Sequence, residues 1–417
     1  MNDKLNNKFE QIQKLSSWEH LPDKNKAFLM DVIKQYRLTY QQSRHVIDIV
    51  LDFENWHESL DILKRPYEHR QRFLETITNR WDELKTLPAD YSAFVPDSRK
   101  LPDYKMRLAD EESIILGRCP VASEKTRCCN LMTLDVVRNC GFDCNYCCIQ
   151  SYFHDNEIII EKNLLAKLSL INFDKNQIYH IGTGQSSDSL MWGDQFGHLT
   201  DLCVFLKQNP NVILELKTKS NNVADLLKLN FPSNIICTWS LNPQTVIKNE
   251  ERFTTSLKER LQAARRVADH KMLVGFHFHP MIYYMGWESE YRAVAKEIKN
   301  LFDPREVAMI SFGTLTYIKP VIKKIRSRLN KTLVLKIPLN EVEGKYSYPR
   351  EIKRQLFKCL YDEFAAWHQE VFFYMCMEEK DLWRDVFNYE YVNNADFEKS
   401  MLDSYLTKIR RRFSLDQ

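Results

Sequence analysis

Six short apolar runs, each trailed by a polar or amphipathic stretch, recur through the middle of this 417-residue chain and leave it few ways to fold. They are approximately Leu131 to Val137, Gln177 to Gly182, Val212 to Lys217, Ile235 to Ser240, Leu273 to His279 and Val307 to Phe312. Runs this continuous suit strands buried on both faces, which means a parallel sheet covered by helices. Repetition of the strand-helix unit predicts an α/β fold, a partial (β/α)6 TIM-like barrel, with ligands held at the carboxyl edge of its strands.

The loop after the first run carries the chemistry. In RNCGFDCNYCCIQ, Cys140, Cys144 and Cys147 form a C-x3-C-x2-C array. Three thiolates so closely spaced can hold one side of an iron-sulfur cluster and leave one iron open, whereas an electron-carrying cubane normally takes four cysteines. A zinc site or buried free thiols are the alternatives, but zinc modules usually add a second knuckle or histidines downstream. This array resembles that of the radical S-adenosylmethionine enzymes. The resemblance implies a [4Fe-4S] cluster whose open iron chelates S-adenosylmethionine, and a 5′-deoxyadenosyl radical on reduction. Tyr146 matches the aromatic that the superfamily places beside the adenine.

Around this centre the chain divides into an N-terminal helical domain (1–95), a linker and lead-in segment (96–130), the barrel (131–335) and a C-terminal α+β extension (336–417). Val46, Ile49, Val50 and Phe53, then Phe73, Ile77, Trp81 and Leu84, repeat with helical spacing. A packing bundle fits this pattern better than a helix-turn-helix reader, whose turn often contains glycine. The start MNDKLNNKFE is polar, no apolar stretch reaches the ~18 residues of a membrane span, and eleven cysteines without a secretory signal indicate reduced thiols. A soluble cytoplasmic protein is expected. The net charge of +3 is too small to argue for nucleic acid. Basic clusters stand out locally, in KPVIKKIRSRLNK and at Arg410, Arg411 and Arg412, and solvated helix faces are the common reading of such runs.

Several strand ends offer polar groups near the expected mouth. The second run ends in HIGTGQSSD, where Gly182 and Gly184 allow close backbone approach to a ligand. The third ends in ELKTKS, and a lysine there can neutralise a carboxylate. His277 and His279 share one face of the fifth strand. Two donors are too few for most metals, so a hydrogen-bonded wall is expected. Cys119, Cys128 and Cys129 match no established ligand pattern, and structural thiols or a partial metal site are both open readings.

The segments NCGFDCNYCCIQ, SSDSL, TKSNNVADLL, WSLNPQTVI and GFHFHPMIYYMGWESEY resemble, in order over about residues 130–350, those of spore photoproduct lyases and related DNA repair photolyases. That likeness implies removal of hydrogen from a methyl-bridged thymine dimer, which then splits into two thymines. By position it makes Cys140, Cys144 and Cys147 cluster ligands and Ser187, Lys219 and Ser240 holders of S-adenosylmethionine, with Asn242 in the same strand-end motif. Lys345 and Tyr346 in EGKYSYPR resemble the Arg-Tyr pair of the family's substrate-facing hairpin, although lysine lacks the guanidinium fork. Damaged duplex DNA and a reducing donor such as flavodoxin or ferredoxin are the implied partners.

One departure matters. The family's hydrogen-donating cysteine stands two residues before the serine matching Ser187, and here that residue is Gln185, whose N–H bond is too strong to quench a carbon radical. Cys148, which replaces the family's tyrosine, and Cys376 in YMCME are candidate substitutes. A radical enzyme acting on RNA, peptide or a small metabolite, and a non-catalytic iron-sulfur sensor of nucleic acid, remain alternatives.

Overall fold

A computed structural model describes residues 2–98, 103–110, 115–119, 126–153, 157–328, 330–342 and 344–414. Its central sheet has eight strands: β1 (Leu116–Arg118), β2 (Met132–Leu134), β3 (Tyr179–Thr183), β4 (Val212–Thr218), β5 (Ile235–Ser240), β6 (Leu273–Met281), β7 (Val307–Thr314) and β8 (Phe372–Met375). They lie side by side in chain order, β2 to β8 parallel and β1 antiparallel to β2. The sheet curls into an open barrel. All six apolar runs form strands, and β8 adds a seventh parallel one from beyond residue 336. The first strand is shorter than its run, because the chain turns after Leu134. Val137–Arg138 then pairs with Glu157–Glu161 in a separate small sheet.

The two edges of the open barrel are tied together. Thr126–Arg127, between β1 and β2, pairs antiparallel with Glu378–Glu379, just past β8. Arg127 also donates to the carbonyls of Tyr391 and Val392. This seam brings residues some 250 positions apart in sequence onto one side of the barrel opening.

Residues 2–86 contain six helices. Thr39 and Gln42 form a reciprocal capping box at the start of Tyr40–Asn55, satisfying two orphan backbone donors. That helix buries Val46, Ile49, Val50 and Phe53, against which Phe73, Ile77 and Leu84 of Arg70–Thr86 also pack. Buried Asp52 accepts from Trp81 Nε1 at 2.9 Å and pairs with Arg326 at 2.9 Å, so the bundle is pinned to the helix Lys319–Arg326. Arg326 therefore leaves the solvated basic face expected of its run. Arg328 does too, pairing with Asp143, and Arg412 donates to the carbonyls of Lys271 and Ala268. Lys319, Lys323 and Lys324 stay exposed.

The barrel interior carries a polar column rather than a wholly apolar core. Glu215 on β4 is fully buried, accepts from Thr238 Oγ1 at 2.9 Å and lies 2.6 Å from His277 Nε2. His277 Nδ1 meets Ser311 Oγ at 2.6 Å, and the same hydroxyl lies 3.1 Å from His279. The two histidines are thus hydrogen-bonded wall residues. Burial lowers both their pKa values, so the neutral imidazoles are favoured.

Candidate active site

The loop after β2 turns over the mouth of the barrel and is held from several directions. Ser187 Oγ donates to the carbonyl of Asn139 at 2.7 Å, immediately before Cys140. Asp143–Cys144 pairs antiparallel with Glu251–Arg252, and Asp143 is also paired with Arg328. Gln150 reaches back to the carbonyls of Asn145 and Cys147. At Gly141 a Cβ would lie 2.4 Å from Met191 Cε and 2.9 Å from Trp192, so only glycine lets the loop settle this close to its neighbours.

Two adjacent buried carboxylates anchor this arrangement. Glu250 accepts from Tyr91 Oη at 2.8 Å, Asn145 Nδ2 at 2.8 Å, Thr332 Oγ1 at 2.6 Å and the backbone of Leu333 at 2.9 Å. It joins the cysteine loop to a segment that precedes the barrel, at Tyr91, and to one between β7 and β8, at Thr332 and Leu333. Glu251 accepts from Tyr146 Oη at 2.5 Å, Asn242 Nδ2 at 2.9 Å and Arg260 Nη2 at 2.5 Å. Burial works against its charge, but Arg260 and then Lys219 hold its pKa below the ordinary glutamate value. An ion pair with no solvent exposure keeps its net benefit only when its remaining hydrogen bonds are made, and here they are.

Lys219 sits at the end of β4 facing the three thiols, its Nζ 5.9 Å from the centre of the Tyr146 ring. Burial opposes its charge, yet the Cys144 sulfur and Glu251 outweigh burial and raise its pKa. Its own amide donates to buried Asp188 at 2.7 Å, and Asp188 also accepts from Thr218 Oγ1 and the amides of Leu190 and Met191. Burial raises the pKa of each thiol of the triplet, that of Cys140 to about 12. Such thiols give up their protons when metal charge arrives to replace them.

The predicted residues come together unevenly. Cys140, Cys144, Cys147, Tyr146, Ser187 and Lys219 share the mouth. Ser240 ends β5 there, its carbonyl accepting from Arg260 at 2.9 Å. Asn242 is fully buried, giving its amide to Glu251 and accepting from Tyr291 at 2.7 Å, which makes it a brace rather than a free ligand group. The close approach expected at the glycines is taken up by the protein itself. At Gly184 (φ +80°) a Cβ would meet Ser189 Oγ at 2.6 Å and the Lys217 carbonyl at 2.7 Å, and at Gly182 it would meet Leu131 at 3.0 Å. Lys345 and Tyr346 lie on a three-stranded unit of Thr316–Ile318, Lys345–Ser347 and Asn340–Val342, where Tyr346 Oη donates to Glu341 at 2.5 Å. Cys148 is exposed beside Cys147, and Cys376 lies at the seam. Sequence reasoning missed Glu250, Glu251 and Arg260, whose only trace is an acidic pair followed by a basic residue in a charged stretch.

Among the described residues no three Cys, His, Asp or Glu side chains are arranged to hold a single metal ion. A cubane spreads its sulfur ligands more widely than one ion does, and three thiols on one braced loop with a lysine ammonium opposite fit a cluster bearing a carboxylate ligand. The model of the family described as spore photoproduct lyase matches residues 100–371. The chain belongs to the spore photoproduct lyase family. It is 24% identical to a spore photoproduct lyase of Clostridium acetobutylicum over 222 residues, 52% of this chain and 64% of that protein. A Geobacillus sp. relative of the same name is 30% identical over 139 residues, 33% and 40% of the two chains. The chain thus covers less than two thirds of the length of these curated relatives. Among solved structures, spore photoproduct lyase complexed with dinucleoside spore photoproduct aligns with a TM-score of 0.55 at 19% identity, covering 69% of this chain and 89% of that one. A mutant form with bound AdoMet and the same dinucleoside gives 0.52 at 20% identity, covering 69% and 88%. These structures share the family's fold with the present chain.

Proposed function

We propose that this member of the spore photoproduct lyase family is a radical S-adenosylmethionine lyase that repairs a DNA photolesion, a methyl-bridged thymine dimer. The braced three-cysteine loop opposite Lys219 carries this reading. Cys140, Cys144 and Cys147 would hold a [4Fe-4S] cluster, and with S-adenosylmethionine bound that cluster supplies a 5′-deoxyadenosyl radical. Lys219 would neutralise the carboxylate of the bound S-adenosylmethionine, Ser187 and Ser240 would hydrogen-bond it, and the Tyr146 ring would flank its adenine. Glu251 and Arg260 keep that ring fixed. A lesion turned out of the duplex would reach the mouth, since damaged bases unstack at lower cost, with Lys345 and Tyr346 beside it. The relatives named above bind or act on this kind of lesion by their names.

Damaged DNA and a low-potential donor such as flavodoxin or ferredoxin are the partners this reading requires, in a reducing cytoplasm. Among the described residues no helix is long and apolar enough to cross a membrane. Gln185, in place of the family's donor thiol, favours a second reading in which the same radical acts on another substrate. Anaerobic reconstitution with dithionite, S-adenosylmethionine and ultraviolet-irradiated thymine-rich DNA tests both. Formation of 5′-deoxyadenosine with loss of the dimer supports repair. Cleavage with the lesion intact points to another substrate, and no cleavage favours a sensor.

A further inference from the structure

The polar column inside the barrel has an order that its distances fix. Glu215 stands at its centre, with His180 Nε2 2.9 Å from one oxygen, His277 Nε2 2.6 Å from the other, and Lys217 Nζ 3.8 Å from the latter. Burial opposes its charge, but Lys217 and then His277 hold its pKa well below the ordinary glutamate value. A carboxylate only accepts, so His277 carries its proton on Nε2. Neutral His277 then has a bare Nδ1, which accepts from the Ser311 hydroxyl at 2.6 Å. That hydroxyl has one hydrogen, so its oxygen takes the next proton from His279 Nε2 at 3.1 Å. The Cδ2–Nε2 edge of the His279 ring accordingly lies along β7. A Cβ on Gly313 would stand 3.0 Å from Cδ2 and 3.2 Å from Nε2, and glycine leaves the ring that room. Phe312 on the same strand adds a backbone hydrogen bond to this ring. The column therefore ends in His279 Nδ1, an unprotonated acceptor.

His279 is also where the column reaches the mouth. β5 and β6 run parallel with Ser240 level with His277, so His279 stands two residues, roughly 7 Å, beyond Ser240 toward the carboxyl edge. His277 is 2% exposed, whereas His279 is only half-buried. The hairpin that carries Lys345 and Tyr346 is rooted at the same point. Thr314 Oγ1, next to Gly313, lies 3.5 Å from Ser347 Oγ, and Tyr348 Oη accepts from the Tyr283 amide at 3.0 Å.

An acceptor in this position needs a donor from whatever enters the mouth. The rings of a methyl-bridged thymine dimer have no N–H other than the imide N3–H, because N1 bears the sugar. In the duplex that N–H is paired, and turning the lesion outward frees it. We propose that His279 Nδ1 accepts the imide N–H of the lesion, which makes His279 a specificity-determining residue that selects thymine-type rings over cytosine-type rings, whose N3 carries no hydrogen. The assignment rests on the lyase reading. Ser311 and His277 act through His279 as positioning residues, and Glu215 sets the direction of the chain.

The test uses the reconstituted full chain with dinucleoside spore photoproduct and the same dinucleoside methylated at N3 of both rings. Parent protein should bind the methylated form about tenfold more weakly, the value of one hydrogen bond. His279→Ala should keep its iron and its 5′-deoxyadenosine, bind the unmodified lesion about tenfold more weakly than the parent does, and treat the two dinucleosides alike. His279→Gln, which restores an acceptor, should recover part of the discrimination, and Ser311→Ala should reduce it at unchanged iron. A purely structural role for His279 would weaken both dinucleosides equally and leave their ratio at the parental value. That ratio in His279→Ala, or a parent that repairs the lesion but binds both forms alike, overturns the assignment. A parent that forms no 5′-deoxyadenosine, or binds neither dinucleoside, overturns the lyase reading itself.

Discussion

The two thiol groups of this barrel are built in opposite ways. The triplet Cys140, Cys144 and Cys147 comes from one loop of eight residues, and distant parts of the chain supply only its braces: Glu250, Glu251, Arg328 and Ser187. The seam group, Cys119, Cys128, Cys129 and Cys376, has the reverse plan. Its sulfurs come from three segments and are gathered by a two-residue ribbon and a few backbone hydrogen bonds. A site whose ligands are local in sequence tolerates rebuilding of its surroundings, whereas a site gathered across the fold depends on those contacts directly.

The largest break in the comparison should come from the cysteines proposed to hold the cluster. Cys144→Ala removes the most buried thiol of the triplet, and bound iron and 5′-deoxyadenosine formation should fall to background. The seam variant Cys129→Ala should leave both unchanged. Iron analysis and a single anaerobic assay on the two proteins check this, and equal iron loss in both would mean that the groups form one site.

Glu250 comes next, because it braces one group and not the other. Glu250→Ala leaves Tyr91, Asn145, Thr332 and the Leu333 amide without their acceptor in a buried site. At ~1–3 kcal/mol for each unsatisfied group, partly relieved by relaxation, the expected loss is about 4 kcal/mol. Urea unfolding of the metal-free protein should show a lower midpoint at unchanged slope. Alkylation of Cys128 with rising pH should keep its midpoint, since nothing on Glu250 touches the seam.

Glu251 sharpens the same contrast with pH. Its folded pKa lies below the ordinary value of 4.5, so it contributes stability that is present above pH 4.5 and is lost as pH falls through the folded pKa. Glu251→Gln should therefore cost about 3 kcal/mol at neutral pH, by leaving Arg260 buried without its counter-charge. The gap between parent and variant should narrow as the solution is acidified below pH 4.5. Melting temperatures from pH 3 to 7 check the sign. A gap that widened toward acid would contradict the pairing.

This asymmetry also explains what could be read from the sequence. The triplet spacing, six strands and Lys219 at a strand end were legible because each is a local pattern of period, spacing or motif. β8 was not, because Phe372–Met375 is only four residues long and lies inside an extension rich in helical spacing. Glu250 and Glu251 looked like any solvated acidic pair, since burial of a charge by Arg260, Tyr91 and Thr332 leaves no local trace. Arg326 and Arg328 looked like a basic face for the same reason. Cys119, Cys128 and Cys129 had no legible partner because Cys376 joins them only through the seam, almost 250 residues away.

The smallest expected effect falls on Cys376, and it decides how far the seam thiols are equivalent. Cys376 shares the neighbourhood of Lys217 and Cys119, and burial raises its thiol pKa first, then those neighbouring sulfurs. Its sulfur sits among those neighbours just past the end of β8. Its main contribution is therefore packing, and Cys376→Ala should cost only about 1 kcal/mol, near the value of one buried methylene-sized group. Iron content and the Cys128 alkylation midpoint should stay within error of the parent. A downward move of that midpoint would mean that the Cys376 sulfur bears negative charge in the parent and raises the Cys128 pKa. The seam would then work as a shared anion around Lys217 rather than as independent thiols.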